Sequence, residues 1–233
     1  MMTYSFLVLS SLLALPGLVV WALRPDLRQM MARMMLLSLP FALTERLFYP
    51  TYWEPAFLFD LVNKIGFGIE DVLFVAGLAA FSSSAWAFAS GRRLAPLGDD
   101  ARPFLPTALG LLVACFAGVG LLVWLSIPMI YGAPVVMALM GTCLCLRRAD
   151  LWAPGFGGML VTTLVYTSLC LALDRLIPGV FLLDWNTEIF LNRFMLGVPL
   201  EEILYAATAG FIAAVFYPFV AGLRYVRRVE AAM

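Results

Sequence analysis

An all-α polytopic membrane protein with about seven transmembrane helices is the fold this sequence predicts, from three observations. Hydrophobic residues make up 63% of the 233 residues, and charged residues only 13%. Several apolar runs exceed the roughly 18 residues that a helix needs to cross a hydrocarbon core. The cations also fall largely on one side of the spans that those runs define.

The runs follow in order. Residues 3–23 form the first, and no basic residue precedes Tyr4–Leu23, so a cleavable signal is not expected. Runs 31–49 and 66–90 are the second and third. A polar seam, Ser90–Pro106 with Arg92, Arg93, Asp99 and Asp100, comes next. The apolar tract 104–146 is too long for one span, and Pro128, Gly132 and Pro134 break it into 104–126 and 129–146. Runs 152–173 and 195–222 complete the set. Three blocks result: 1–90, 91–128 (linker and fourth span) and 129–233.

Seven spans put Arg24, Arg28, Arg33, Arg92, Arg93, Arg102, Arg147, Arg148, Arg224, Arg227 and Arg228 on one side. Arg46, Lys64, Arg175 and Arg193 fall on the other. The bias predicts a multi-pass protein of the cell membrane with its N-terminus outside and its C-terminus cytoplasmic. The acids Glu45, Glu54, Asp60, Glu70, Asp71, Asp174, Asp184, Glu188, Glu201 and Glu202 gather on the Arg-poor side.

Absences narrow the chemistry. The chain has no histidine, which excludes His-ligated metals, His general bases and Ser-His hydrolases. Cys115, Cys143, Cys145 and Cys170 lie inside apolar spans and read as small buried hydrophobes, so no metal site is expected. Gly66-x-Gly68 lacks the third glycine and the strand context of a nucleotide loop. No nucleic-acid partner is expected.

Two stretches look like copies of one another. The first runs Glu45-Arg46-Leu47, Trp53, Gly68-Ile69-Glu70-Asp71; the second runs Asp174-Arg175-Leu176, Trp185, Pro199-Leu200-Glu201-Glu202. Trp precedes the first acid of its pair by 17 residues in one copy and 16 in the other. Each copy ends a unit of three spans, and the extra fourth span lets both units enter the membrane in the same sense. A site between the halves then draws acids from both. An acid at the centre of a membrane helix costs roughly 2.5 kcal/mol or more on insertion scales, so a repeated pair points to function.

Neighbouring helical residues project about 100° apart, so one acid of a pair faces inward while the other orients it or holds a cation such as Arg175 or Arg193. Arg46 is the matching cation of the first copy. The positive helix end favours a charged carboxylate and burial favours the neutral acid. In an apolar site without histidine, burial leaves at least one carboxyl as the protonated general acid. Phe48, Tyr49, Tyr52, Trp53, Phe57, Phe59, Phe67 and Phe74 crowd the first motif; Trp185, Phe190, Phe194 and Tyr205 line the second. An interfacial belt accounts for many of these rings, and the rest supply cation–π faces for a carbocation.

On these residues the chain resembles the small integral-membrane lycopene cyclases, which occur as heterodimers or fused two-domain chains. Their pattern is a Trp followed by Pro-x-Glu-Glu or Glu-Asp and an aromatic-rich helix, once per domain. Pro199-Leu200-Glu201-Glu202 matches it, and Gly68-Ile69-Glu70-Asp71 matches with Gly for Pro. Departures are Phe74-Val75 and Tyr205-Ala206 where an aromatic pair follows the acids, and Glu45-Arg46 and Asp174-Arg175 before each Trp.

The resemblance implies a carotenoid cyclase, an intramolecular lyase or isomerase that converts the linear ψ end group of lycopene into a β-type ring. A Glu protonates C2, the C5=C6 alkene attacks the C1 cation, and a base removes a proton. Glu201 or Glu202 is the expected acid, with Glu70 and Asp71 as second acid, base or cation stabiliser. Trp53, Trp185, Phe74, Tyr205, Phe67 and Phe194 are the expected substrate walls, and Arg175 and Arg46 the orienting cations. Expected partners are a lipophilic carotenoid, membrane lipid, and a second copy or other carotenoid enzymes. No cofactor is evident, and the need for a flavin is left open.

Other readings fit less well. A retinal protein needs a Schiff-base lysine in its last helix, and the only lysine is Lys64. A Glu-Glu membrane protease needs histidines, and a prenyltransferase needs Asp-rich diphosphate motifs. The main alternative is a transporter or carotenoid-binding scaffold that uses the acids for proton or cation coupling.

Overall fold

The computed structural model describes residues 4–98, 104–186 and 191–227, so Asp99, Asp100, Arg102, Glu188, Phe190 and Arg228 lie outside the described residues. The fold is all-α and polytopic. The helices are α1 (Ser5–Leu23), α2 (Arg28–Ser38), the short α3 (Leu61–Ile65), α4 (Ile69–Ala89), α5 (Phe104–Trp124), α6 (Met129–Arg147), α7 (Trp152–Leu176), the short α8 (Val180–Leu183) and α9 (Leu200–Val220). Among the described residues, six helices are long and apolar enough to cross a membrane: α1, α4, α5, α6, α7 and α9.

The expected second span, 31–49, is not one of those six. After α2 the chain tightens into a 3₁₀ run, Leu39–Leu47, with Pro40 in its first turn. Proline has no N–H to donate and its ring crowds the preceding turn, so the α ladder stops there. Both pieces still pack along α4.

Two helices form the centre. Helix α9 packs on α7, α6 and α4, while α4 packs on α1, α2 and α7. Small residues allow the closest approach. A Cβ on Gly158 would lie 2.4 Å from the Ala214 Cβ and 2.9 Å from the Gly210 carbonyl oxygen, so α7 and α9 touch backbone to backbone. This is how helices associate where no hydrophobic gradient drives them together. Helix α5 rests mainly on α6 and is mostly exposed on its outer face.

Short strands tie the ends. Antiparallel β1 (Arg92–Pro96) and β4 (Leu223–Arg227) pair Arg92 with Arg227, Leu94 with Tyr225 and Pro96 with Leu223. The stretch 91–128 is therefore not merely a linker and a span. Its first residues join a sheet with the segment after α9, each strand entered through a glycine at positive φ, Gly91 (64°) and Gly222 (63°). At the opposite end of α4 and α9, Trp53 bridges Trp185; Glu54 N–H donates to the Asp184 carbonyl (2.7 Å), and Asn186 N–H to the Tyr52 carbonyl (2.8 Å). A smaller hairpin, β2 (Phe194–Met195) and β3 (Val198–Pro199), leads into α9.

Both pairings join segments about 130 residues apart in the chain. Helices α4 and α9 both start at the Trp bridge and end at the β1–β4 sheet, and so run in the same direction. A matching clamp sits at the sheet end. Arg24 grips Asp26 and donates to the carbonyls of Ala87 (3.0 Å) and Arg92 (2.5 Å). Arg148 grips Asp150 and donates to the carbonyls of Pro218 (3.0 Å) and Leu223 (2.8 Å). Each clamp ties the end of one helix to the end of α4 or α9.

Candidate active site

The two acids of each pair part company, as adjacent residues on a helix must. The first of each pair holds the loop before its own helix. Glu70 Oε1 accepts the Leu58 N–H (2.8 Å), and Glu201 Oε1 accepts the Leu191 N–H (2.7 Å) and the Tyr131 hydroxyl (3.0 Å). The other oxygen of each is buried without a partner among the described residues. The second of each pair, Asp71 and Glu202, lines a chamber beside the Trp bridge with an empty volume of about 510 Å³.

A third acid completes the chamber. Glu45, near the end of the 3₁₀ run, is buried and accepts the Trp53 indole N–H at 2.6 Å. Its carboxyl lies beside that of Asp71 in the chamber wall, and Asp71 Oδ2 accepts the Gly68 N–H at 2.6 Å. Two carboxyls can bond to each other only with a proton between them, because a bare carboxylate has no donor.

Glu202 is held differently. Three donors converge on it: the Tyr52 hydroxyl (2.8 Å) and Trp185 indole N–H (3.0 Å) on Oε1, and the Tyr166 hydroxyl (2.6 Å) on Oε2. Burial, and then the facing Glu202 carboxyl, push the Tyr52 phenol well above its ordinary value, so it remains a donor. Aromatic rings close the chamber. Phe6 packs against Trp53 at 4.2 Å between centroids, Trp53 against Trp185 at 5.1 Å, and Phe74 against Tyr205 at 6.2 Å.

No cation lines this chamber. Among the described residues the ion pairs are Arg24–Asp26 and Arg148–Asp150, both at the sheet end. Arg46 and Arg175, the expected orienting cations, are exposed and lie outside the chamber walls. The reason is angular: each follows an acid in sequence, so Glu45 turning inward sends Arg46 outward. Phe67 and Phe194 also miss the chamber, the former half-buried and the latter exposed. Trp53, Phe74 and Tyr205 line it, and Trp185 reaches it through Glu202. Of the four expected catalytic acids, Asp71 and Glu202 reach the chamber; Glu70 and Glu201 do not.

The chamber adjoins a larger, open apolar cavity with about 1080 Å³ of empty space; Phe41, Thr44, Phe48, Val75 and Tyr205 are shared walls. The cavity runs between the α2 segment, α4, α5, α6 and α9, past Leu78, Val119, Met137 and Phe216. A long lipophilic chain lying there places one terminus among the three acids.

Glycine at 68, where the second copy has Pro199, has two causes. A Cβ would fall 2.4 Å from Glu70 Oε2 and 2.5 Å from Phe57 Cδ1. Proline would also remove the N–H that Asp71 accepts. Sequence reasoning gave Glu45 no role in the chamber, because Glu45-Arg46 lies outside the adjacent acid pairs and reads only as a departure before Trp53. Tyr166 stood in an apolar run with nothing to distinguish it.

Residues 128–220, from the start of α6 to the end of α9, match the family model described as lycopene cyclase. No curated protein and no solved structure matches the chain. The match is confined to this part of the chain, which contributes Tyr166, Trp185 and Glu202, and it makes that part similar to lycopene cyclases.

Proposed function

We propose that this protein cyclises the linear ψ end group of lycopene, or a similar carotenoid, to a β-type ring, and that its two three-helix sets are fused repeats sharing one chamber. The observation that carries the reading is a buried cluster of carboxyls with no cationic partner, walled by aromatic rings and open to a long apolar cavity. Uncompensated buried carboxylates are costly. A carbocation formed on the substrate supplies the missing positive charge at the step where it is needed, which is stabilisation specific to the transition state.

The polyene lies in the apolar cavity with its end group in the chamber. A carboxyl proton adds to C2, the C5=C6 pair attacks the C1 cation, and loss of a proton leaves the ring alkene. The reaction is a net isomerisation. Glu202, fixed by three donors, faces the developing charge, and the rings of Trp53 and Phe74 offer their π faces. Burial keeps water from capturing the cation.

Expression in a lycopene-accumulating bacterium, with pigments resolved by chromatography, tests this. Cyclised carotenoid is the expected product. Unchanged lycopene, with the protein shown to be present and folded, refutes it and leaves transport or carotenoid binding. Glu202→Gln is expected to abolish cyclisation. Glu201→Gln, which touches the loop before α9 and Tyr131 of α6 but does not line the chamber, is expected to reduce it less; equal activity of both with the wild type refutes the site.

A further inference from the structure

The chamber is asymmetric although the scaffold around it is not. The counterpart of Glu45 in the second copy is Asp174, which is half-buried, accepts the Gly179 N–H at 3.1 Å and does not line the chamber. Glu202, the counterpart of Asp71, therefore has no carboxyl partner like Glu45 among the described residues of its own half, and phenols and an indole surround it instead. One pair of neighbouring carboxyls on different elements exists among the described residues of this chamber, Glu45 of the 3₁₀ run and Asp71 of α4.

The elements on either side decide which member holds the proton. Asp71 stands in the first turn of α4, at the positive end of the helix, and takes the Gly68 N–H in a capping box. Glu45 stands near the C-terminal end of the 3₁₀ run, the negative end of its backbone dipole. Negative charge is favoured on Asp71 and disfavoured on Glu45.

We infer that Glu45 is the proton donor of the reaction, with Asp71 as its hydrogen-bonded acceptor, and that the chain has one catalytic centre rather than one per repeat. The inference rests on the cyclase reading above. The Glu45 O–H bond breaks as a C–H bond forms at C2 of the end group. The alkene pair of C5=C6 then makes the new C–C bond to C1. A C–H pair beside the resulting cation becomes the ring double bond, and its proton returns to the Glu45–Asp71 pair. Nothing else is consumed, and Glu202, held by its three donors, faces the cation throughout.

The full chain in a lycopene-accumulating bacterium, and membranes prepared from it, provide the test. Glu45→Gln keeps the shape and the Trp53 hydrogen bond but has no proton to give, so cyclisation is expected to fall about 100-fold or more while lycopene still co-purifies with the protein. Asp174→Asn is expected to cyclise at the wild-type rate. Wild-type activity in Glu45→Gln overturns the assignment, and loss of activity in Asp174→Asn to the same extent overturns the single centre. Should Glu45→Gln not accumulate, Glu45→Asp is read instead. A slower reaction with a displaced acid limb in its pH profile supports the donor role, and a wild-type rate and profile refute it. A wild-type protein that leaves lycopene unchanged refutes the cyclase reading itself, which is a separate result.

Discussion

At the scale of single residues, the site is built from donors that the apolar spans spend nowhere else. Tyr166 is a fully buried phenol in the middle of α7, and its hydroxyl serves Glu202 at 2.6 Å. A hydrogen bond to a charged group contributes about 1.5–3 kcal/mol, so Tyr166→Phe is expected to slow cyclisation by roughly tenfold or more with little change in folding. Single-turnover rates in membrane preparations check this. Gly68 is the second sensitive residue. Gly68→Ala forces a Cβ against Phe57 and Glu70, and overpacking of that kind costs about 1–3 kcal/mol. A lowered melting temperature of the detergent-solubilised protein is the expected readout. Gly68 was legible in sequence only as a mismatch to Pro199, since the crowding around it comes from Phe57 in a loop.

At the scale of elements, the ends of α4 and α9 matter more than their apolar middles. Their first turns carry the acids, and their last turns lead into β1 and β4 under the Arg24 and Arg148 clamps. Arg24→Ala leaves the Ala87 and Arg92 carbonyls short of a donor, at about 1–3 kcal/mol. Arg148→Ala does the same to Pro218 and Leu223. Both variants are expected to melt lower while keeping the chamber chemistry, because the clamps lie at the far end of the central helices. Cyclisation below the melting temperature, measured beside the melt, checks the separation. Most helix bounds were readable because runs of about 20 apolar residues have one satisfactory backbone solution in lipid. The segment 28–47 was not, because hydropathy registers Leu39–Leu47 as apolar without registering what Pro40 does to its hydrogen bonds.

At the scale of the whole molecule, the Trp53–Trp185 bridge and the β1–β4 sheet close the two ends of the same parallel helix pair. From the cation bias we propose that the sheet end faces the cytoplasm and the acid chamber the outside. In a cysteine-free background, a cysteine at Glu54 is expected to react with an impermeant thiol reagent in intact cells, and one at Arg224 only after the membrane is opened. The reverse pattern overturns the orientation.

The sequence by itself determined the polytopic class, the helix bounds within a few residues, the repeated acids and the aromatic setting. These follow from hydropathy, turn residues and spacing, which act locally along the chain. Tertiary structure alone decided which carboxyls meet. It turned Asp71 and Glu202 into one chamber, left Glu70 and Glu201 holding loops, and brought in Glu45 and Tyr166 from the 3₁₀ run and from α7. It also turned Arg46 and Arg175 away from the acids. A carboxyl pair sharing a proton depends on where two elements come to rest against each other, and that is set by packing across the molecule.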